Sequence, residues 1–80
     1  MTAPHLSPRQ LDIVRLAANG HTDQAIAHLL GLSLHTVRDQ WRALIKPRLG
    51  AVDRTHAVAL ALTAGLIRPG EIHSRTETAA

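Results

Sequence analysis

The chain has 80 residues, a formal net charge of +3, no cysteine and a single aromatic side chain, Trp41. A chain of this length supports one small domain, which buries roughly 60 to 65% of the surface that the unfolded form exposes. Its apolar residues make up 45% of the chain and are mostly Leu, Ile, Val and Ala, which favour packed helices over a sheet, and the lack of cysteine excludes disulfides, thiolate zinc sites and cysteine nucleophiles.

The first predicted helix begins after an N-terminal arm of residues 1–5. Ser7 is a typical N-cap, Pro8 suits the first helical position, and Gln10 completes a capping box with Ser7. Gly20 provides a left-handed stop. These signals predict a helix from about residue 8 to residue 19.

The second predicted helix follows Thr22, another suitable N-cap, and is broken by Gly31. Ser33 can then cap a third helix after a tight turn. The apolar residues of this third helix recur at helical spacing and form one stripe: Leu34, Val37, Trp41, Leu44 and Ile45.

Pro47 is expected to limit the third helix. Proline lacks the N–H donor and clashes with the preceding turn, at a cost of about 3 kcal/mol inside a helix. We therefore expect the third helix to span about 34–46 and to end or kink near Ile45 or Lys46.

The fourth predicted helix runs from about Arg54 to Ala64, with Asp53 as its cap and Gly65 as its stop. It is apolar nearly all round, so that one face can pack on the core while the other needs a partner. Residues 68–80 are polar and without periodicity, which predicts a flexible, disordered C-terminal tail. The expected fold class is therefore an all-α, four-helix domain over residues 6–67.

Positive charge is concentrated in the second half of the domain. Five basic residues and two acidic residues lie between Arg38 and Arg54, and a basic segment of this kind suggests a polyanionic partner. The face of the third helix opposite its apolar stripe is mostly basic and carries His35, Arg38, Asp39, Arg42 and Lys46. Gln40 lies at the edge of this face.

Two short helices joined by a glycine-containing turn, the second of them basic on its outward face, form a helix-turn-helix arrangement. From Leu6 to about Ile67 the chain resembles the C-terminal DNA-binding domain of LuxR-type transcriptional regulators. The resemblance rests on L-S-P-R at 6–9, V-R-L-A-A-N-G at 14–20, Ile26-Ala27, Leu32-Ser33, Thr36-Val37-Arg38, and Leu49-Gly50 followed by D-R-T-H-A-V at 53–58.

The resemblance implies that the third helix enters the major groove of double-stranded DNA and that the fourth helix makes a homodimer that reads inverted repeats. Its base- and phosphate-contacting positions correspond to Thr36, Arg38, Asp39 and Arg42. The predicted DNA-binding residues are Thr22, His35, Thr36, Arg38, Asp39, Gln40, Arg42 and Lys46. The predicted dimer contacts are Val58, Ala61, Leu62 and Leu66.

The chain departs from the family pattern at four places. Thr22 is followed three residues later by Ala25, where the family usually has a capping Glu, and Gln24 occupies a position that the family often fills with a basic residue. Gln40-Trp41 replaces a His-Val pair, and the segment K-P-R before Leu49 is one residue longer than usual.

Two residues of the third helix allow more than one role. Asp39 could accept a hydrogen bond from a cytosine amino group, repel phosphate, or restrain Arg42 three residues along the helix, and we favour the restraint. Trp41 lies in the apolar stripe, so we predict core packing, with its indole N–H bonded to the backbone or at the surface, over base stacking.

Other classes of site find little support. His21, His28 and His35 recur every seven residues but fall on different elements without carboxylate or thiolate partners, so no metal site is predicted. No cofactor motif or nucleophile-base pair indicates an enzyme. With neither a signal peptide nor an apolar run of the roughly 20 residues that cross a bilayer, we expect a soluble, cytoplasmic protein without membrane contact.

The sequence therefore predicts a stand-alone, dimeric DNA-binding transcription regulator. An alternative is a protein-interaction module that binds another regulator or RNA polymerase. A second alternative is a promoter binder similar to region 4 of bacterial sigma factors, although that family lacks the L-G-x-x-D-R-T-x-A-V segment and the fourth helix.

Overall fold

The computed structural model describes residues 4–74, and within that range it contains helices and turns but no strand. The four helices are α1 (Pro8–Ala18), α2 (Asp23–Leu30), α3 (34–49) and α4 (Arg54–Thr63), followed by a 3₁₀ turn at Pro69–Glu71. The all-α, four-helix prediction is confirmed.

The predicted caps fix the start of each helix. Ser7 Oγ accepts a hydrogen bond from Gln10 N at 3.2 Å, while Gln10 Oε1 accepts one from Ser7 N at 2.8 Å, which completes the capping box. Asp53 caps α4 by accepting from His56 N at 2.8 Å. These bonds satisfy donors that have no partner within their helix.

The core is small and consists mainly of aliphatic side chains from all four helices. Ala57 and Ala61 on α4 are fully buried, and their small side chains allow this helix to lie close against α1. The buried apolar set is Leu6, Ile13, Val14, Ile26, Ala27, Val37, Trp41, Ile45, Ala57, Ala61 and Ile67.

Helix α3 continues past Pro47, so that of the two expected outcomes near Ile45 or Lys46, an end or a kink, the end is wrong. The helix is α-helical over Leu34–Asp39, π-helical over Gln40–Ile45, and α-helical again over Lys46–Leu49. It ends at Gly50, whose φ of 70° is the left-handed conformation that glycine adopts readily.

The π-helical turn explains how the helix passes Pro47. The N–H of Lys46 bonds to the carbonyl of Trp41, five residues back rather than four. In an α-helix the Pro47 ring would press on the carbonyl of Ala43. The wider turn relieves this contact and also accommodates an additional residue.

The segment after α4 folds back onto α1, which corrects the flexible tail predicted from residue 68. Arg15 Nε lies 2.6 Å from Glu71 Oε2, and Asn19 Nδ2 donates to the carbonyl of Glu71 at 2.9 Å. Asn19 Oδ1 in turn accepts from His73 N at 2.8 Å. These partners are 52 to 56 residues apart, so local periodicity gives no sign of them; residues 75–80 of the predicted tail lie outside the described residues.

Glu71 is held as a carboxylate at this site. The backbone N–H of Arg68, first, and then the Arg15 guanidinium lower the pKa of Glu71 below its ordinary value of 4.5.

No helix among residues 4–74 combines the length and the apolar character needed to cross a bilayer.

Candidate nucleic-acid interface

The turn between α2 and α3 is fixed by local hydrogen bonds. Thr22 Oγ1 accepts from Ala25 N at 3.1 Å and caps α2 although no capping Glu follows. Gly31 adopts a φ of 68° at the end of α2. Ser33 Oγ accepts from Thr36 N at 3.0 Å, and the hydroxyl groups of Ser33 and Thr36 lie 2.8 Å apart. The two helices therefore meet in the predicted helix-turn-helix arrangement.

Three side chains, His35, Asp39 and Arg42, contact one another on the outward face of α3. Asp39 Oδ1 lies 2.5 Å from Arg42 Nη2, and Asp39 Oδ2 lies 3.2 Å from His35 Nε2. The hydrogen bond from Arg42, followed by the positive charge of His35, lowers the pKa of Asp39 below its ordinary value of 3.8. Asp39 therefore makes the contact with Arg42 that its spacing predicted.

The side chains of two other predicted cations on this side have no ion-pair or hydrogen-bond partner within residues 4–74. Arg38 is exposed and Lys46 is half-buried, and both residues use only their backbone groups in the hydrogen bonds of the described range. An arginine and a lysine without protein partners are suited to bind an anion such as a phosphate or the acceptor atoms of a guanine.

Gln40, predicted at the edge of the DNA-facing side, is half-buried and bonds to α1. Its Oε1 atom accepts a hydrogen bond of 3.3 Å from Gln10 Nε2. Gln10 is itself only 4% exposed, and its Oε1 also accepts from Arg48 Nη1 at 2.9 Å. Gln10 therefore connects the start of α1 with the middle and the end of α3.

The positions of Gln10 and Arg48 in this network were not predicted. The capping box identified the bond between Gln10 and Ser7, but a polar residue at N3 of a helix is usually exposed. The contacts with Gln40 and Arg48 span 30 and 38 residues, and no local pattern indicates them.

Asp23 joins three helices at the base of the interface. Its Oδ1 atom accepts from Trp41 Nε1 at 3.0 Å and from Arg54 Nη1 at 2.6 Å. Arg54 also donates to the carbonyl of His21, and its guanidinium carbon lies 5.4 Å from the centroid of the Trp41 ring. We call Asp23, Trp41 and Arg54 the interhelix clamp.

Trp41 is 5% exposed, so it packs in the core as predicted and is not available for base stacking. Its indole N–H bonds to a carboxylate, whereas the sequence suggested the backbone or the surface. The apolar stripe drew attention to Trp41, and the D-R-T segment of the family resemblance drew attention to Arg54, but no sequence signal indicated Asp23 or the contacts among the three.

A cleft of about 200 Å³ opens beside the clamp. Four cations and two carboxylates surround the indole there, so that the lining is positive overall. The lining residues are Asp23, Arg38, Trp41, Arg42, Lys46, Asp53 and Arg54.

The predicted dimer residues on and after α4 divide into two groups. Ala61 is 0% exposed and belongs to the core of its own chain, which corrects its assignment to a dimer contact. Val58, Leu62 and Leu66 are half-buried and pack against the edge of the core. Ala59, on the side of α4 away from the core, is exposed.

The predicted lack of a metal site concerns the positions of the histidines and carboxylates. Residues 4–74 contain no group of three or more His, Cys, Asp or Glu side chains arranged to hold a metal ion. His35 instead contacts Asp39, while His21 provides a backbone carbonyl to Arg54.

A family profile and individual relatives both match most of the chain. The profile of bacterial regulatory proteins of the luxR family matches residues 4–61. The chain is 42% identical over 67 residues to the HTH-type quorum sensing-dependent transcriptional regulator VjbR of Brucella abortus, a match that covers 84% of this chain and 26% of VjbR.

Two further regulators match the same part of the chain. The transcriptional activator protein BjaR1 of Bradyrhizobium diazoefficiens is 34% identical over 64 residues, which are 80% of this chain and 26% of BjaR1. The HTH-type quorum sensing-dependent transcriptional regulator RpaR of Rhodopseudomonas palustris is 41% identical over 63 residues, which are 79% of this chain and 26% of RpaR. The chain thus spans about a quarter of the length of these relatives.

Proposed function

We propose that this chain, which belongs to the luxR family of bacterial regulatory proteins, reads double-stranded DNA by placing α3 in the major groove. The domain is a DNA-binding domain of a transcription regulator. The observation that carries the proposal is the outward face of α3, where the side chains of Arg38 and Lys46 have no ion-pair or hydrogen-bond partner among residues 4–74 and lie near Arg42.

The dimensions and charge of α3 suit this role. The major groove is about 12 Å wide and admits one α-helix. The Ser33 cap and the interhelix clamp hold α3 from both sides, so that its outward residues form a rigid surface. A rigid surface lowers the entropy lost when individual side chains bind the bases.

Individual residues have different proposed roles. Arg38 is exposed in the first half of α3 and is the proposed base-reading residue, since bidentate arginine to guanine is the commonest specific contact. Lys46, near the other end, is a point charge suited to phosphate. Thr22 caps α2 with its oxygen and can donate its hydroxyl proton to a phosphate, and Thr36 can do the same when Ser33, the cap of α3, is the donor in their 2.8 Å hydroxyl pair.

We also propose that the chain acts as a homodimer through α4. Val58, Leu62 and Leu66 give this helix a half-buried apolar edge, and Ala59 gives it a small exposed contact point. A twofold dimer would present two copies of α3 to half-sites one helical turn, about 34 Å, apart. Its target would therefore be an inverted repeat.

Fluorescence anisotropy with mixed DNA duplexes over a salt series tests DNA binding. With about four to six phosphate contacts, log K should fall with log salt at a slope of about 4 to 5. Arg38→Ala should weaken binding to a selected duplex by about 1 to 3 kcal/mol and relax the preference at one base pair.

Arg9→Ala provides the matched control for Arg38. Arg9 is an exposed arginine on α1, not on α3, and it donates to the carbonyl of Leu30 at the end of α2 at 3.0 Å. Its removal changes the net charge equally but should leave the base preference intact. Equal losses for the two variants would contradict the role assigned to Arg38.

The second candidate function is binding to another regulator or to RNA polymerase. The observation in its favour is that Asp39 neutralises Arg42 at the centre of the basic face. A chain that binds no duplex even at low salt but associates with RNA polymerase would support this candidate over the first.

A further inference from the structure

Asp39 has an unusual position for a residue on a DNA-binding face. Its carboxylate lies between two nitrogen donors, with one oxygen 2.5 Å from the Arg42 guanidinium and the other 3.2 Å from His35 Nε2. The side chain of Arg42 is 74% exposed, yet its charge is paired within the helix. The face therefore contains an arginine that reaches solvent but is not free to bind phosphate as an independent charge.

We propose that Asp39 is a specificity-determining residue, which suppresses binding to non-cognate DNA by holding Arg42 and by repelling phosphate. This inference rests on the proposed function of α3. It concerns how the surface rejects incorrect sequences, whereas the role of Arg38 concerns how it recognises the correct one.

On DNA of arbitrary sequence, the contact between Asp39 and Arg42 weakens the electrostatic attraction. Non-specific binding arises almost entirely from cations that neutralise phosphates and release counterions. With Arg42 paired, Arg38 and Lys46 supply the unpaired positive charge on the outward face of α3, and the Asp39 carboxylate itself faces a polyanion. Non-specific affinity should therefore be lower than the number of basic residues suggests.

On a matching sequence, the same pair can make favourable contacts. A carboxylate accepts a hydrogen bond from the amino group of cytosine, and an arginine donates two to a neighbouring guanine. Because Asp39 already restricts the rotamers of Arg42, less side-chain entropy is lost when the guanidinium binds. On the matching site, contacts of Asp39 and Arg42 with the bases compensate for the weaker attraction to phosphate, and on arbitrary DNA they do not. The ratio of specific to non-specific affinity therefore increases.

The test compares Asp39→Asn with Asp12→Asn. Asp12 pairs with Arg15 in the same i, i+3 geometry at 3.3 Å, but on α1. The two substitutions change the net charge equally and each removes the charge from one exposed carboxylate. Thermal unfolding of both variants checks that the fold is retained.

Binding of the 80-residue chain is measured by anisotropy on two duplexes of about 20 base pairs, long enough for two half-sites one helical turn apart. One duplex carries the sequence selected from a random pool, and the other is a scrambled sequence of the same composition. Asp39→Asn should increase the affinity for the scrambled duplex several-fold and steepen its salt slope by about 0.9, because one more cation contacts phosphate.

The gain in affinity of Asp39→Asn for the scrambled duplex should shrink by about 3.5-fold when salt is raised from about 50 to about 200 mM. The ratio of selected to scrambled affinity should fall for Asp39→Asn and stay at the wild-type value for Asp12→Asn. Equal effects of the two substitutions, or weaker binding of Asp39→Asn to both duplexes, would overturn the inference while leaving the proposed function intact. A wild-type chain that binds neither duplex would overturn both.

Discussion

Replacement of Asp23 by alanine should destabilise the protein far more than loss of an ordinary surface carboxylate. The substitution removes the acceptor of the Trp41 indole N–H, which lies on a residue only 5% exposed. A hydrogen bond to a charged group contributes about 1.5 to 3 kcal/mol. The pair with Arg54, whose side chain is 35% exposed, adds about 0.2 to 1 kcal/mol after allowance for solvent screening.

A third contribution comes from the position of Asp23 in the first turn of α2, where a negative charge is stabilised by about 0.3 to 1 kcal/mol. Together these contributions amount to about 2 to 5 kcal/mol. A domain of this size has a total free energy of unfolding of about 4 to 12 kcal/mol. Asp23→Ala should therefore lower Tm by at least about 8 °C, given about 4 to 8 °C for each kcal/mol.

Urea unfolding measured by both far-UV circular dichroism and tryptophan fluorescence provides the assay. Trp41 is the only aromatic residue in the chain, so its fluorescence reports on α3, while the dichroism reports on all helices. Asp12→Ala is the control, because it loses only an exposed pair with Arg15 and should cost about 0.2 to 0.5 kcal/mol.

A double-mutant cycle with Trp41→Phe separates the hydrogen bond from the other contributions. The Phe side chain keeps much of the apolar contact but has no N–H, so that Asp23→Ala should cost less in that background. If Asp23→Ala and Asp12→Ala differ by less than about 0.5 kcal/mol, the interhelix clamp does not stabilise the fold and the reasoning is refuted.

Two further predictions concern α4 and the C-terminal segment. Ala59→Glu should shift the chain towards monomer in sedimentation, because it places a charge on the exposed side of α4. The control Ala43→Glu, on an exposed alanine of α3, should leave the profile unchanged. Equal sedimentation profiles for the two variants would count against an α4 dimer. Because the pKa of Glu71 is lower in the folded chain than its ordinary value of 4.5, its contribution to stability is present above that pH and is lost as pH falls through the folded pKa. The difference in Tm between wild type and Glu71→Gln should therefore be largest near pH 7 and should close in acid, and a difference that is constant with pH would contradict the assignment.

Local chemistry explains why the helix starts could be predicted from the sequence. Ser7, Thr22, Ser33 and Asp53 each accept a hydrogen bond from a backbone N–H three residues ahead. Such a cap depends on the residue type and its immediate neighbours, so that it can be recognised without knowledge of the fold. The apolar stripe of α3 likewise follows from spacing alone, and Trp41 in that stripe is buried as predicted.

The features that were missed depend on contacts between distant segments. Asp23 meets Arg54 across 31 residues, and Gln10 meets Arg48 across 38. A polar residue that is buried by such a contact has the same local sequence context as one at the surface. Its partner is defined only when the helices have packed.

The course of α3 beyond Ile45 was missed for a different reason. Pro47 is a correct local signal that a regular α-helix cannot continue, but the rule does not specify how the chain responds. Here the backbone widens into a π-helical turn, and the helix continues to Leu49. The end of the proposed recognition helix therefore lies closer to Gly50 than the sequence indicated.

The central claim is that the outward face of α3 reads a specific DNA sequence as part of a dimer. Selection of bound duplexes from a random pool tests it most directly, with the wild-type chain and Arg38→Ala selected in parallel. We expect the wild-type chain to recover an inverted repeat with half-sites about 10 base pairs apart and Arg38→Ala to lose the preference at one position of each half-site. A pool that shows no enriched sequence after repeated rounds, or the same motif for both proteins, would contradict the claim.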